Sequence, residues 1–296
     1  MIKKNFSKTF SSSTEDSLSI QSPNHFINLK AIKLISIFDW DDTLFCTKYF
    51  DTFNLNYSDI FSFKTSLQDF NPYLLNELKE LENSIISLFL ELIENNFEIF
   101  IISNADKKWI DNCLIHFFQE LKEFIEEKSI RIYSAKNMFS SITNSNYWKK
   151  KCFKKVILDN YKDNNLEIKI LSIGDSFDEK KATLNLRKIN YFNKIKVQFI
   201  KMIFCPSAAS IILQLKYIEN NLNDIIKKKS LLFKMVIEQK NYGIEINCND
   251  DYEEEYEDND ENEDDNNKEI NKHKGNVCVK LLKYFLKKKR KLKSEI

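Results

Sequence analysis

The chain has 296 residues and a formal net charge of +1, with 43% hydrophobic and 30% charged residues. This length and apolar content suit one sizeable core or two small ones. The balanced charge provides no general attraction to nucleic acid or anionic membrane. No apolar run reaches the roughly 18–20 residues of a membrane-spanning helix, no signal-peptide pattern opens the chain, and the six cysteines lack zinc-pair spacing. We therefore expect an intracellular protein, cytoplasmic or nuclear.

Predicted strands and helices alternate along most of the chain, after a Ser/Thr-rich flexible leader at residues 1–30. Five apolar runs are typical of buried strands and lie at 32–38, 98–102, 130–133, 167–173 and 196–204. Apolar residues at helical spacing lie at 73–95, 106–127, 147–161, 178–190 and about 207–235. The alternation predicts an α/β domain at 31–240, with a doubly wound, mostly parallel, Rossmann-like sheet and helices on both faces.

Acidic residues follow the first predicted strand, at the end where such folds bind ligands. Asp39 and Asp41 lie at i and i+2, so on an extended backbone they point to the same side. Like charges placed this close favour a cation or a shared proton, and Mg2+ with oxygen ligands fits such a pair. An acidic turn explains the five residues DWDDT at 39–43 equally well.

Polar groups also occur at later strand ends and helix starts. Ser103 and Asn104 follow the second strand, WKKK at 148–151 opens a helix, and SIGDSFDE at 172–179 ends the fourth strand. Taken singly, these are a helix cap, a solvated helix end and a turn. Together they fit phosphoryl transfer: a carboxylate attacks phosphorus, a carboxyl group protonates the leaving oxygen, and a hydroxyl and a lysine hold the phosphoryl oxygens.

The order and spacing of these motifs resemble the haloacid dehalogenase-like (HAD) hydrolase superfamily, most of whose members are magnesium-dependent phosphatases. The resemblance rests on DWDDT at 39–43, IIS at 101–103, WKKK at 148–151 and SIGDSFDE at 172–179, and it covers roughly residues 32–235. The stretches SNADKKW, SAKNMF and YWKKKCF also resemble a protistan branch of HAD-like proteins. The resemblance implies a HAD-type core with Mg2+ as its cofactor.

The resemblance also implies a role for each matching residue. Asp39 would be the nucleophile and a metal ligand, and Asp41 the general acid/base with its backbone carbonyl on the metal. Ser103 would bind the transferring phosphoryl group together with Asn104. Asp175 would be a further metal ligand.

Two assignments within these motifs have close alternatives. Lys149 would steady the nucleophile and is chosen because it directly follows Trp148, although further lysines lie close by at 150, 151, 154 and 155. Asp178 is assigned as the supporting metal ligand, and Glu179 is the alternative. Phe177 occupies a position where the family often has a small or polar residue, which predicts a more apolar pocket edge.

The predicted function is that of a magnesium-dependent phosphatase that hydrolyses a phosphomonoester through an aspartyl-phosphate. The family selects substrates through inserted caps. Here the insertion at 44–72 is a short flap and 134–147 is shorter, so a minimal cap and an open site are expected. An open site admits a phosphoprotein, whereas a lid formed by 44–72 would favour small metabolites. The alternatives are a HAD-like phosphotransferase and a non-catalytic HAD-like scaffold that acts through its charged tail.

Residues 249–296 differ in composition from the rest of the chain. Residues 249–267 are almost all acidic or Asn, which predicts disorder. The tail at 277–296 is basic. Its lysine-rich part, 280–293, fits four partners: a nuclear import receptor, nucleic acid, anionic membrane, or the acidic segment of the same chain. A tail without function fits the composition equally well.

Overall fold

The computed structural model describes residues 32–52, 57–62, 72–163, 165–204, 206–228, 232–240 and 243–250. The predicted leader at 1–30, the basic tail at 277–296 and nearly all of the acidic segment at 249–267 lie outside these residues. Within the described part of the chain, no helix has the length and apolar character needed to cross a membrane.

The described strands form one sheet. In chain order they are β1 (Ile32–Phe38), β2 (Phe97–Ser103), β3 (Arg131–Ser134), β4 (Glu167–Gly174), β5 (Lys194–Lys201), β6 (Leu232–Lys240) and β7 (Gly243–Asp250). Their order across the sheet is β3-β2-β1-β4-β5-β6-β7. Neighbouring strands are parallel from β3 to β6, and β7 is antiparallel to β6. The predicted α/β fold with a mostly parallel sheet is confirmed.

Helices cover both faces of the sheet, as predicted. The described helices are α1 (Thr47–Asp51), α2 (Tyr57–Phe61), α3 (Pro72–Glu94), α4 (Lys107–Phe117), α5 (Gln119–Glu127), α6 (Ala135–Phe139), α7 (Asn146–Asn160), α8 (Phe177–Leu186), α9 (Ala208–Asn220) and α10 (Leu222–Lys227). One core is built with α3, α4, α5, α9 and α10, and a second, on the other face, with α6, α7 and α8.

The sequence of β1 explains why both faces are covered. Ile35 and Ile37 belong to the α7–α8 core, and Phe38 belongs to the opposite core. Successive side chains of a strand point to opposite faces, so an apolar run without polar alternation needs a helix layer on each side.

Three predicted elements differ from the structure. The helix predicted at 106–127 is divided at Phe118, whose non-helical φ of −133° separates α4 from α5. The helix predicted to run to 235 is wrong beyond residue 227, because Leu232–Lys240 forms β6 and pairs with the edge of β5. The insertion at 44–72, for which the sequence predicts a short flap and no particular helix, contains α1 and α2.

Strand β7 continues the sheet to Asp250, past residue 240, where the domain was expected to end. Strands β6 and β7 form an antiparallel pair, in which Phe233 pairs with Asp250 and Lys240 with Gly243.

The strand order places a switch point between β1 and β4. The chain runs from β1 outward through β2 to β3, then crosses to the other side of β1 to form β4. The two strands end level with each other, because Phe38 pairs with Ile173 and the Asp39 amide donates to the Ile173 carbonyl at 3.0 Å. Ligands of open α/β sheets bind at such a point, so the residues after β1 and β4 define the candidate site.

Candidate functional site

A tight turn follows β1 and fixes the backbone around Asp41. The Trp40 carbonyl accepts backbone hydrogen bonds from Thr43, Leu44 and Phe45, at 2.9–3.3 Å. Asp42 has a φ of 56°, a left-handed conformation that aspartate tolerates better than most residues. Trp40 is fully buried in the core, so the residue between the two predicted carboxylates has a packing role.

Three buried carboxylates converge at the ends of β1 and β4. Asp39, Asp175 and Glu179 each offer an oxygen, and these oxygens lie within 4.8 Å of one another. Each residue is at most 5% exposed. Asp39 follows β1, Asp175 follows β4 and Glu179 belongs to the first turn of α8. The topology therefore brings together residues from distant parts of the chain.

A capping box at the start of α8 holds Glu179 in place. The Ser176 side chain accepts from the Asp178 amide, and the Glu179 carboxylate accepts from the Ser176 amide at 2.7 Å. Gly174 gives Glu179 the space it needs, since a Cβ at Gly174 would lie 2.5 Å from the Glu179 Cγ. The glycine, the serine and the glutamate thus form one local unit that turns the Glu179 carboxylate back toward the strand end.

Lys149 joins two of the carboxylates. Its Nζ lies 2.8 Å from Asp39 Oδ1 and donates to Glu179 Oε1. The residue is buried in the first turn of α7, on the same side as the buried Cys152, Phe153 and Val156, which pack on the sheet. The neighbouring lysines at 150, 151, 154 and 155 are partly or fully exposed. Of the candidates in the sequence, Lys149 is the one that the helix brings to Asp39.

The charges in this cluster do not balance. Burial lowers the pKa of Lys149, but Asp39 and Glu179 together raise it well above its usual value, so the ammonium is retained. Burial raises the pKa of Glu179, but the Lys149 charge and the hydrogen bonds from Lys149 and Ser176 bring it below its usual value. Lys149 is the ammonium that contacts Asp39 and Glu179, and the nearby Lys48 is ion-paired with Asp42 at 2.8 Å and lies 3.9 Å from Asp175. The excess negative charge falls on Asp39 and Asp175.

Both of these aspartates have raised pKa values. For Asp39, burial is the largest cause; Lys149 opposes it, and Glu179 and Asp175 reinforce it, leaving the pKa well above the usual value. For Asp175, burial and the charges of Glu179 and Asp42 raise the pKa to about 7, against the opposing effect of Lys201 and Lys48. A cation beside the two carboxylates would remove this repulsion.

Mg2+ fits the donor set, because it is a hard cation that takes carboxylate oxygens. The two Glu179 oxygens are already engaged, one by Lys149 and the other by Ser176. Asp39 and Asp175 are therefore the residues that would hold the ion.

Asp41 lies outside the three-carboxylate cluster, although its charge is close enough to raise the Asp39 pKa. Its Oδ1 accepts from Thr47 Oγ1 at 2.5 Å and from Trp109 Nε1 at 3.1 Å. Thr47 begins α1 and Trp109 lies in the first turn of α4. One oxygen of the predicted acid/base is thus fixed by two elements that the sequence analysis did not connect with the site.

Ser103 and Asn104 lie at the end of β2, beside β1. Ser103 is buried, and its Oγ accepts from the Ala105 amide at 3.1 Å. The Asn104 Oδ1 is buried and makes no hydrogen bond within the described residues. An amide oxygen in this state is costly unless it finds a partner, so Asn104 is suited to contact a ligand.

Asp178, assigned from the sequence as the supporting metal ligand, is partly exposed and lies outside the cluster. Burial, reinforced by the Glu179 charge, raises its pKa. Glu179 occupies the inward position instead. The S-x-x-E spacing of Ser176 and Glu179 is the sequence signal that identifies it, because a capping box turns its glutamate back toward the start of the helix.

In comparisons with known proteins, no family model, no curated protein and no solved structure matches the chain. The fold and the site together define its class: an α/β protein with a buried carboxylate–lysine cluster at the switch point of a parallel sheet.

Proposed function

We propose that the protein is a magnesium-dependent phosphatase with a HAD-like core, which hydrolyses a phosphomonoester through an aspartyl-phosphate at Asp39. The observation that carries the proposal is the buried contact of Lys149 with Asp39 and Glu179 beside Asp175. The motif order of the sequence supports the same assignment.

In the proposed first step, an Asp39 carboxylate oxygen attacks phosphorus as the bond from phosphorus to the leaving oxygen breaks. Lys149 holds Asp39 in position and offsets the charge that develops on the phosphoryl group. At the end of β2, Ser103 donates through its hydroxyl group, and Asn104 through its side-chain NH2 group, to the phosphoryl oxygens. Mg2+ held by Asp39 and Asp175 would supply the remaining charge neutralisation.

Asp41 serves as the general acid and then as the general base. It gives a proton to the leaving oxygen and later takes one from the water that attacks the aspartyl-phosphate. The hydrogen bonds from Thr47 and Trp109 occupy Oδ1, which leaves Oδ2 for proton transfer. Trp109 and Thr47 are positioning residues in this scheme.

The buried charges favour an enzyme over a scaffold. Excess carboxylates in a protein interior destabilise the fold unless they are paired or bind a cation. A protein that acted only through a charged tail would gain nothing from retaining Asp39 and Asp175 in this arrangement.

The described part of the 44–72 insertion fits a minimal cap. Phe50, Tyr57 and Phe61 pack on Trp109 and Phe117 of α4. Two five-residue helices held in this way are too small to enclose a substrate. An open site that accepts a phosphate on a macromolecule, such as a phosphoprotein, is part of the proposal.

The test is turnover of 4-nitrophenyl phosphate and a broad phosphoester panel by the full chain, with Mg2+ or with EDTA. We expect magnesium-dependent hydrolysis that Asp39→Asn reduces by at least about a thousandfold. Asp159→Asn removes an exposed carboxylate paired with Lys155 on α7 and serves as the matched control, with unchanged turnover.

Trapping of labelled enzyme identifies the intermediate. Substrate labelled at phosphorus should transfer its label to the wild-type chain but not to Asp39→Asn, and the label should persist longer in Asp41→Asn. Absence of both turnover and labelling across the panel with Mg2+ present would contradict the proposal.

A further inference from the structure

Two exposed phenylalanines lie at the edge of the candidate site. Among the phenylalanines whose exposure is described, Phe177 is 51% and Phe204 39% exposed, and the others are buried or partly buried. Phe177 begins α8, two residues after Asp175, and Phe204 lies three residues beyond the end of β5. Strands β4 and β5 are neighbours that end together, with Gly174 paired with Lys201. Both rings therefore lie at the carboxyl edge of the sheet.

Two lysines connect these rings to Asp175. The Lys48 Nζ lies 3.9 Å from the Phe204 ring centroid and 3.9 Å from Asp175 Oδ2. The Lys201 Nζ lies 6.0 Å from the Phe177 ring centroid and donates to the Asp175 carbonyl. One ammonium group thus lies between each ring and Asp175. Because Asp175 lies beside Asp39, a group attached to a phosphate at Asp39 would be within reach of both rings.

The lysine on each ring is itself held in place. Lys48 forms an ion pair with Asp42 at 2.8 Å, and its backbone amide donates to the same carboxylate. Lys201 also donates to the Met202 carbonyl at 3.0 Å. Lys48, Lys201, Phe177 and Phe204 form one rim of the candidate site, in which both lysines are held in place next to an aromatic ring. It offers apolar contact, edge-to-face packing and cation–π attraction to a ligand ring, whereas an alkyl group would gain only the apolar contact.

We infer that Phe177 and Phe204 form a subsite for the leaving group, and that the substrate is a phosphomonoester whose leaving group carries an aromatic ring. The inference rests on the proposed function, because it takes the phosphate to be bound at Asp39. It goes further by naming the chemical class of the group that leaves.

The test measures binding rather than turnover, because aryl phosphates are intrinsically more reactive than alkyl phosphates. Phenylphosphonate and ethylphosphonate are titrated calorimetrically into the full chain with Mg2+ present. We expect the wild type to bind phenylphosphonate about tenfold more tightly than ethylphosphonate, as one or two aromatic contacts would produce.

Variants of the rim should abolish this preference. Phe177→Ala and Phe204→Ala should each weaken phenylphosphonate binding about five- to tenfold, with little change for ethylphosphonate, and Phe177→Tyr should retain the preference. Tyr191→Ala is the matched control, since Tyr191 is also an exposed aromatic residue but precedes β5, at the opposite edge of the sheet.

Two results would overturn the inference, and they are distinguishable. Equal binding of the two phosphonates by a chain that hydrolyses phosphoesters would remove the aromatic subsite and leave the phosphatase proposal standing. Failure of both phosphonates to bind, together with no turnover of any phosphoester, would overturn both proposals.

Discussion

Asp175 and Glu179 lie on the same turn of chain, yet their pKa values shift in opposite directions. Glu179 is engaged by Lys149 and Ser176, which together bring its pKa below the usual value despite its burial. At Asp175, burial and the charges of Glu179 and Asp42 raise the pKa to about 7, although the Lys201 ammonium donates to its backbone carbonyl and the Lys48 ammonium lies 3.9 Å from its Oδ2. Of these two carboxylates, Asp175 is thus the one that gains more from a bound cation.

Stability of the metal-free protein should therefore depend on the charge of Asp175. The pKa of this carboxyl group is 3.8 in the unfolded chain and about 7 in the folded protein. Its contribution to the free energy of unfolding is therefore fully present below pH 3.8 and is lost as the pH rises through about 7. Asp175→Asn removes the titration. In EDTA, the free energy of unfolding of the variant relative to wild type should increase by about 3 kcal/mol between pH 5 and pH 8, measured by denaturant unfolding.

Magnesium provides the complementary measurement. In the proposed site the ion would bind the deprotonated carboxylate, so Mg2+ should stabilise the wild type more at pH 8 than at pH 5, and it should stabilise Asp175→Asn little at either pH. If the free energies of unfolding of wild type and Asp175→Asn changed in parallel with pH in EDTA, the role given to Asp175 would be contradicted.

Some residues of the candidate site could be predicted from the sequence, and others could not. Lys149 is distinguishable from its neighbours because Cys152, Phe153 and Val156 follow it at i+3, i+4 and i+7, the spacing of one helix face. The Lys48 and Phe204 pair carries no such signal. These residues come from separate segments and meet through the strand order, which local spacing does not encode.

At the scale of elements, the junction of β4 and α8 depends on Gly174. Gly174→Ala would place a Cβ 2.5 Å from the Glu179 Cγ and displace the glutamate from Lys149 and Ser176. We expect a loss of about 1–3 kcal/mol in the free energy of unfolding, measured with denaturant, and slower phosphoester turnover.

A double-mutant cycle isolates the cause of this loss. In a Glu179→Ala background the clashing Cγ is absent, so Gly174→Ala should cost clearly less. An equal cost in both backgrounds would show that the alanine acts on something other than Glu179.

Helix periodicity also explains which element boundaries were wrong. Buried residues such as Ile110, Leu114, Leu121 and Ile125 keep helical spacing across Phe118, so the division between α4 and α5 leaves no trace in the pattern. Beyond α10, the apolar residues fit helix or strand equally well. The strand conformation is favoured because the backbone groups at the open edge of β5 need hydrogen-bond partners, which β6 provides.

For the whole molecule, β6 and β7 complete the sheet beside the site. Strand β6 pairs with β5 at Phe199–Lys201, a range that includes the lysine that donates to the Asp175 carbonyl, and β7 pairs with β6. A chain cut after residue 250 keeps all described strands and should retain its unfolding midpoint and the proposed phosphatase activity. A chain cut after residue 231 loses both strands and should unfold several degrees lower, measured by thermal unfolding. Equal midpoints for the two truncations would exclude a structural role for the hairpin.

The central place of β1 has a consequence for synthesis on the ribosome. The nascent chain completes β1, β2 and β3 first. In the sheet, β2 and β3 lie on one side of β1, and the other edge of β1 pairs with β4, which is synthesised later. Asp175 and Glu179 are translated only at the end of β4 and after it, so the long-range closure that assembles the site comes late. The growing protein therefore lacks the buried carboxylate–lysine cluster of Asp39, Lys149, Asp175 and Glu179 until β4 and the start of α8 have joined the sheet.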